Sequence, residues 1–147
     1  MELAANVLAI TGVAAFAGVM TCVGVTLGGY WRSLDSDEFI VWFGENNGYV
    51  ARSVPVTVAP ALLGLAGSIS FAWGTSEAWL WGGSALCLLA VLALTAVYFV
   101  PTNRALASGQ VGTADVPQRL RRWLVIHNAR IGLAALSAII GCLAQSR

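Results

Sequence analysis

The sequence predicts an all-α membrane protein, a bundle of four transmembrane helices with a short interfacial amphipathic helix between helices 1 and 2. Of its 147 residues, 58% are hydrophobic and only 10% are charged, whereas a soluble domain carries about 25% charged residues. So few charges do not cover the surface that a chain this short exposes. The composition therefore excludes a soluble globular protein, a disordered chain and a nucleic-acid-binding protein.

Four long apolar stretches predict the four transmembrane helices. Three of them contain no charged residue, and the fourth contains only Arg130; the stretches are 3–31, 53–76, 78–103 and 123–146. About 20 apolar residues are needed to cross the hydrocarbon core of a bilayer. We therefore expect a single integral membrane domain, residues 1–147, with helices near 4–27, 54–73, 79–100 and 123–143.

The arginines are distributed unevenly among the predicted connections. All eight cationic residues are arginines, and six of them lie in the 1–2 and 3–4 connections, whereas only Arg147 lies on the side of the termini. Cytoplasmic loops are enriched in basic residues, so we expect cytoplasmic long connections and both termini outside. Arginine without lysine is compatible with a GC-rich bacterial genome, which favours a bacterial inner membrane.

The connection between the first two predicted helices contains an amphipathic segment, 35–43. Phe39, Trp42 and Phe43 recur there at helical spacing, and Asp35 is a candidate N-cap. This pattern predicts a short helix that lies at the membrane surface. Two interpretations remain open, a simple interfacial anchor and a lid over an opening between the transmembrane helices.

The fourth predicted helix contains the most informative pattern. Trp123, His127 and Arg130 are four and three residues apart, so they share one helical face. Arg130 lies about 10 Å inside the start of the helix, where an arginine exposed to lipid is costly. One interpretation is a polar pocket at the cytoplasmic end of the bundle. The other is an arginine that extends to the headgroups, with His127 at the interface.

The same composition excludes several kinds of cofactor site. The chain has one histidine, and no predicted helix carries Asp or Glu in its middle, whereas haem, copper and di-iron sites in bundles need several convergent ligands. A metal site would have to be shared between subunits. Glycine-rich phosphate loops and dinucleotide-binding motifs are also missing. We therefore expect no metal, nucleotide or flavin.

One set of residues resembles a known family. Pro101 and Asn103 close the third predicted helix, and the pattern Trp-x3-His-x2-Arg follows about twenty residues later at Trp123, His127 and Arg130. This combination is similar to the anthrone-oxygenase-like family of small four-helix membrane proteins, largely of unknown function. The resemblance covers nearly the whole chain. It implies oxidation of an anthrone to an anthraquinone in polyketide biosynthesis, with O2 as co-substrate and no cofactor.

The resemblance also implies roles for particular residues. A base that removes a proton from the anthrone is needed, and an imidazole exchanges protons near neutral pH. A donor near the developing oxyanion and aromatic rings that stack on a flat substrate are also needed. The expected catalytic residues are His127 as the base, with Arg130 and Asn103 as donors. The expected substrate-binding residues are Trp123, Asn128, Tyr30 and Trp31.

Two other functions remain open at this stage. The same pocket is compatible with a non-oxidative cyclisation or isomerisation of a polyketide. Alternatively, the chain is a non-catalytic membrane accessory or assembly protein, in which His127 and Arg130 pair with a partner's carboxylate. The partners that we expect are a hydrophobic small molecule and the lipid bilayer, and the small size is compatible with a homo-oligomer.

Overall fold

The computed structural model describes residues 1–147 as four long helices without strands. We name them α1 (Glu2–Trp31), α2 (Ser36–Phe71), α3 (Glu77–Ala107) and α4 (Val116–Gln145). A 3-10 turn, Thr113–Asp115, leads into α4. Each helix is long and apolar enough to cross a membrane, so the predicted four-helix membrane bundle is confirmed. Its orientation in the membrane stays a prediction.

The amphipathic segment 35–43 is not the separate helix that the sequence predicted, because it forms the first turns of α2. Asp35 caps this helix: its carboxylate accepts a hydrogen bond from the Glu38 N–H at 2.8 Å, and Glu38 accepts one from the Asp35 N–H at 3.2 Å. The polar stretch 44–53 suggested a loop, but it contains no proline that would interrupt the helix. Phe39 and Phe43 are fully buried in the core of the bundle, so these rings pack against protein and not in the membrane interface.

Helices α1 and α2 are held together by direct backbone contact. A methyl group placed on Gly12 would lie 2.6 Å from the backbone nitrogen of Ala61, and one on Gly64 would overlap the backbone of Ala9. Lipid provides no hydrophobic drive for helix association, so small residues that allow close approach supply the packing instead. The pair α1–α2 therefore depends on these two glycines.

Helices α3 and α4 are joined by a reciprocal pair of hydrogen bonds. The Ser84 hydroxyl donates to the Ser137 carbonyl at 2.8 Å, and the Ser137 hydroxyl donates to the Ser84 carbonyl at the same distance. Both serines are buried. Interhelical bonds of this kind contribute about 0.6 kcal/mol each in a membrane, and their pairing fixes the register of the two helices.

The buried core changes character along the bundle. Aliphatic side chains predominate toward the end that carries the termini, whereas aromatic rings predominate toward the other end. We call the second group the aromatic cluster; its rings are Trp31, Phe39, Phe43, Phe99 and Trp123. Trp31 lies at its centre, with edge-on contacts to four rings at centroid distances of 5.3 to 6.0 Å.

Substitution of Gly12 tests the contact between α1 and α2. Gly12→Val forces a branched side chain against the backbone of Ala61, and overpacking of this kind costs about 1–3 kcal/mol. The variant should therefore melt at a lower temperature in detergent. Gly18→Val is the matched control, because a methyl group on Gly18 of the same helix meets nothing within 4 Å. Equal melting temperatures of the two variants would contradict the packing described above.

Candidate functional site

A cavity of about 280 Å³ lies beside the aromatic cluster, and all four helices contribute to its lining. This volume is near the lower limit of small-molecule pockets, which measure about 300–1,000 Å³. Trp31, Phe43, Phe99 and Trp123 form aromatic walls. The polar lining residues are Asn47, Thr95, Asn103, His127 and Arg130. The cavity is therefore suited to one flat, largely apolar ligand with a few polar atoms.

Asn103 and Trp123 form a direct bridge between α3 and α4. The indole Nε1 of Trp123 donates a hydrogen bond to Oδ1 of Asn103 at 2.8 Å. Because an indole N–H can only donate, this contact fixes which end of the Asn103 amide carries the oxygen. Asn103 lines the cavity, and this bridge leaves its amide nitrogen Nδ2 as an unused hydrogen-bond donor.

His127 is held in a single tautomer by the backbone of α1. Its Nε2 lies 2.8 Å from the carbonyl oxygen of Met20, and since a carbonyl can only accept, Nε2 carries the proton. In the neutral ring, Nδ1 then has a free lone pair, and this buried atom has no partner in the protein. The ring also stacks on Trp123, with centroids 4.7 Å apart. The imidazole is thus an oriented acceptor with an unused Nδ1.

Arg130 lies inside the bundle and is only 4% exposed, so the interpretation in which it reaches the headgroups is wrong. Its Cζ atom lies 4.0 Å from the centre of the Phe99 ring, and Nη2 donates to the sulfur of Met20 at 3.2 Å. No Asp or Glu lines the cavity, and Nε has no partner. The guanidinium therefore lines the cavity without a carboxylate to neutralise its charge.

Two π-helical turns contribute to this region, one in α1 and one in α3. They span Val23–Leu27 and Thr95–Phe99. The first follows Met20, whose carbonyl contacts His127, and it contains Gly24, where a methyl group would lie 3.1 Å from the imidazole. The second contributes two lining residues to the cavity. Short π segments occur frequently at functional sites, and here the one in α1 accompanies the close approach of α1 to α4.

Sequence reasoning missed several residues of this site, and Met20 and Asn47 show why. Met20 was missed because its contact with His127 uses a backbone carbonyl, which leaves no signal in the residue type. Asn47 was missed because it falls in the polar stretch that suggested a loop. It lines the cavity and forms no hydrogen bond with the protein, whereas Asn46 donates to the Trp42 carbonyl at 2.9 Å. Asn47 lies four residues after Phe43, so an α2 that continues through the polar stretch places both on one helical face. That spacing is the signal that could have identified Asn47.

Two of the expected substrate-binding residues lie outside the cavity. Tyr30 is 45% exposed and contacts Trp42 edge-on, and Asn128 is exposed and lines a separate outer groove. Each follows or precedes a lining residue, and one residue turns a helix by roughly 100°. Tyr30 and Asn128 therefore lie outside this cavity, whereas Trp31 and Trp123 line it, and a role of any of the four in substrate binding stays a prediction.

No group of three or more His, Cys, Asp or Glu side chains lies close enough together to hold a metal ion. The acidic residues nearest in sequence to the site, Asp35, Glu38 and Glu45, do not line the cavity either. The absence of a metal or other cofactor stays a prediction. Among the lining side chains, His127 is the only one that is an ordinary acid–base group near neutral pH.

The bridge between Asn103 and Trp123 can be tested by a double-mutant cycle. Trp123→Phe and Asn103→Leu should each lower the unfolding free energy, because each leaves a polar group without its partner. The double variant should lose less than the sum, with a coupling of about 0.6 to 1.7 kcal/mol, the range for such bonds in membranes. Thermal unfolding in detergent measures it. Strictly additive losses would argue against the bridge.

Comparison with known proteins gives one match. A family model described as anthrone oxygenase matches residues 39–140, which is more than half of the chain. The matched region begins in α2 and continues through α3 into α4, so it includes Asn47, Asn103, Trp123, His127 and Arg130. Helix α1, with Met20, precedes it. Neither the curated proteins nor the solved structures give a match.

Proposed function

This chain belongs to the anthrone oxygenase family, and we propose that it oxidises a flat, hydrophobic aromatic ketone of the anthrone type with O2, without a metal or organic cofactor. The observation that carries this proposal is the presence of two groups in one aromatic cavity: the oriented His127 ring, whose Nδ1 has no partner, and the buried guanidinium of Arg130. The first is suited to accept a proton, and the second is suited to stabilise the anion that remains.

The chemistry of an anthrone requires little beyond these two groups. Its methylene carbon lies between two aromatic rings and is conjugated to a ketone, so loss of one proton gives an electron-rich enolate. O2 adds to the former methylene carbon, and the resulting peroxide anion takes back the proton to give a hydroperoxide. The remaining hydrogen of that carbon and the outer OH group then leave as water, which forms the second carbonyl. One anthrone and one O2 become one anthraquinone and one water, and the four electrons that the carbon loses reduce the O2.

His127 is the proposed base. Nδ1 accepts the proton, while the Met20 carbonyl holds Nε2–H and stabilises the imidazolium that forms. Stacking on Trp123 fixes the plane of the ring. The arrangement resembles catalytic histidines whose second nitrogen is held by a neighbouring acceptor, with the difference that a backbone carbonyl takes the place of a carboxylate.

Arg130 is the proposed stabiliser of the enolate oxygen. A fixed cation in a site that excludes water interacts with a developing negative charge more strongly than it would in water. Asn103, through Nδ2, and Asn47 supply further polar contacts for oxygen atoms at the outer end of the ligand. The cavity thus offers an acceptor at His127 and donors around it, which complements a molecule with one acidic C–H and a ketone oxygen that becomes negatively charged.

Turnover with and without oxygen tests the reaction class. Purified protein in lipid nanodiscs should convert anthrone to anthraquinone in air, with one O2 consumed per product, and should give no product under nitrogen. A cyclase or isomerase would give the same product under both gases from a suitable polyketide. Oxidation of anthrone in air at no more than the uncatalysed rate would contradict the proposed function.

Substitutions of the two central residues test the mechanism. His127→Ala should lower turnover by about 10²–10⁴-fold, the usual effect of losing a general base. Arg130→Ala should abolish measurable turnover, and Arg130→Lys should fail too, because lysine lacks the planar group that stacks on Phe99 and forms paired hydrogen bonds. Initial rates at saturating anthrone measure these effects.

The controls separate chemistry from folding. Arg122 is on the same helix as Arg130, but its guanidinium lies over the Tyr98 ring, outside the cavity. Arg122→Ala should therefore keep the wild-type rate. All variants should elute and melt like the wild type before rates are compared. If His127→Ala retains near-full activity in a folded protein, His127 is not the base.

A further inference from the structure

The four helices around the cavity are not equally close to one another. Glycine contacts join α1 to α2, the serine pair joins α3 to α4, and a methyl group on Gly28 of α1 would lie 2.7 Å from Leu124 of α4. Helices α2 and α3 approach each other near Gly44, where a methyl group would lie 3.3 Å from the Ala107 carbonyl, and again at their connecting turn, 72–76. Between these two contacts, the cavity separates α2 from α3.

The exposure of the lining residues shows on which side the cavity opens. Every lining residue of α1 and α4 is buried; these residues are Met20, Val23, Trp31, Trp123, His127 and Arg130. Three lining residues are instead exposed, Ala51 and Pro55 on α2 and Val100 on α3, the last to 38%. The opening therefore lies between α2 and α3, and we call Ala51, Pro55 and Val100 the rim.

The rim lies in a mostly apolar surface, with the exposed Arg52 next to Ala51. Its three residues are uncharged, and their outward neighbours Val56 and Val97 are among the most exposed apolar side chains of the two helices. Both lie in the long apolar stretches that cross the membrane. A charged molecule that passes this rim would lose its hydration without gaining a partner, whereas a neutral aromatic molecule would not.

The other side of the aromatic cluster offers no comparable route. An outer groove between the start of α2 and the start of α4 carries Arg32 and Arg121. Trp31 is the only residue that lines both this groove and the cavity. It is fully buried and packs edge-on against four rings. A fixed indole therefore separates the cavity from the groove.

We propose that the gap between α2 and α3 is the entrance of the site, and that its ligand is a neutral aromatic molecule taken directly from the bilayer. The identity of the ligand rests on the proposed function, whereas the route does not require turnover. The small side chains of the rim set the width of the entrance, which makes Ala51 and Val100 residues that determine which molecules are admitted, and how fast.

Bulky substitutions at the rim test this route. Ala51→Trp and Val100→Trp should slow the binding of anthraquinone to protein in nanodiscs by about tenfold or more, because the helices must then separate before the ligand enters. The rate of quenching of tryptophan fluorescence measures binding without turnover. Matched controls are Ala59→Trp and Leu86→Trp, which place the same residue on exposed positions of the same helices outside the cavity lining, and they should bind at the wild-type rate.

A second probe distinguishes entry from lipid and entry from water. Anthraquinone-2-sulfonate has the same three rings and a permanent charge. Added from the aqueous phase, it should quench the tryptophan fluorescence more slowly than anthraquinone does. Equal quenching by the two probes, together with unchanged rates in the Ala51 and Val100 variants, would overturn the lipid route. If the tryptophan variants fold poorly, Ala51→Leu and Val100→Phe carry the same test.

The outcomes also separate this inference from the proposed reaction. Slowed quenching in the rim variants, without oxidation of anthrone by the wild type, would support the route and overturn the oxygenase function. Normal oxidation of anthrone by the wild type, with unchanged quenching rates in the rim variants, would support the oxygenase function and overturn the route. If anthraquinone quenches neither the wild type nor any variant, both the ligand class and its route are overturned.

Discussion

Burial of one guanidinium inside a membrane-embedded bundle is the constraint on which the aromatic end of this protein depends. Arg130 lies within the bundle without a carboxylate in the cavity to neutralise it, and removing an unpaired charge from water costs several kcal/mol. The face of Phe99 and the sulfur of Met20 offset part of that cost. A ligand oxygen with negative charge would offset more, so the same feature that weakens the empty site favours its occupation.

The bundle separates the contacts that hold it together from the gap that we propose to be its entrance. Close glycine packing joins α1 to α2, and the serine pair joins α3 to α4. Helix α1 also reaches α4 through Gly24 and Gly28, which allows the Met20 carbonyl to contact His127. Three of the four helix boundaries are thus tied along the bundle by small residues or hydrogen bonds, whereas α2 and α3 meet only near Gly44 and at their connecting turn, on either side of the proposed entrance.

The sequence was sufficient for those features that depend on local periodicity. Long apolar stretches predict the four helices, and the spacing of Trp123, His127 and Arg130 predicts their shared face, because both follow from the geometry of one helix. Contacts between helices were not predictable in this way. The partner of His127 is a backbone carbonyl of a residue 107 positions earlier, and Asn47 joins the site only because α2 continues through a polar stretch.

The base and the cation also constrain how the proposed reaction would end. After His127 accepts a proton, an imidazolium lies one helical turn from the guanidinium of Arg130, and no acidic residue lines the cavity to separate the two charges. Repulsion between them favours return of the proton to the ligand. The peroxide anion formed by O2 addition needs this proton to become the hydroperoxide, and the remaining proton of that carbon then leaves with the outer OH group as water. The arrangement that makes His127 a base in the first step therefore makes it an acid once O2 has added.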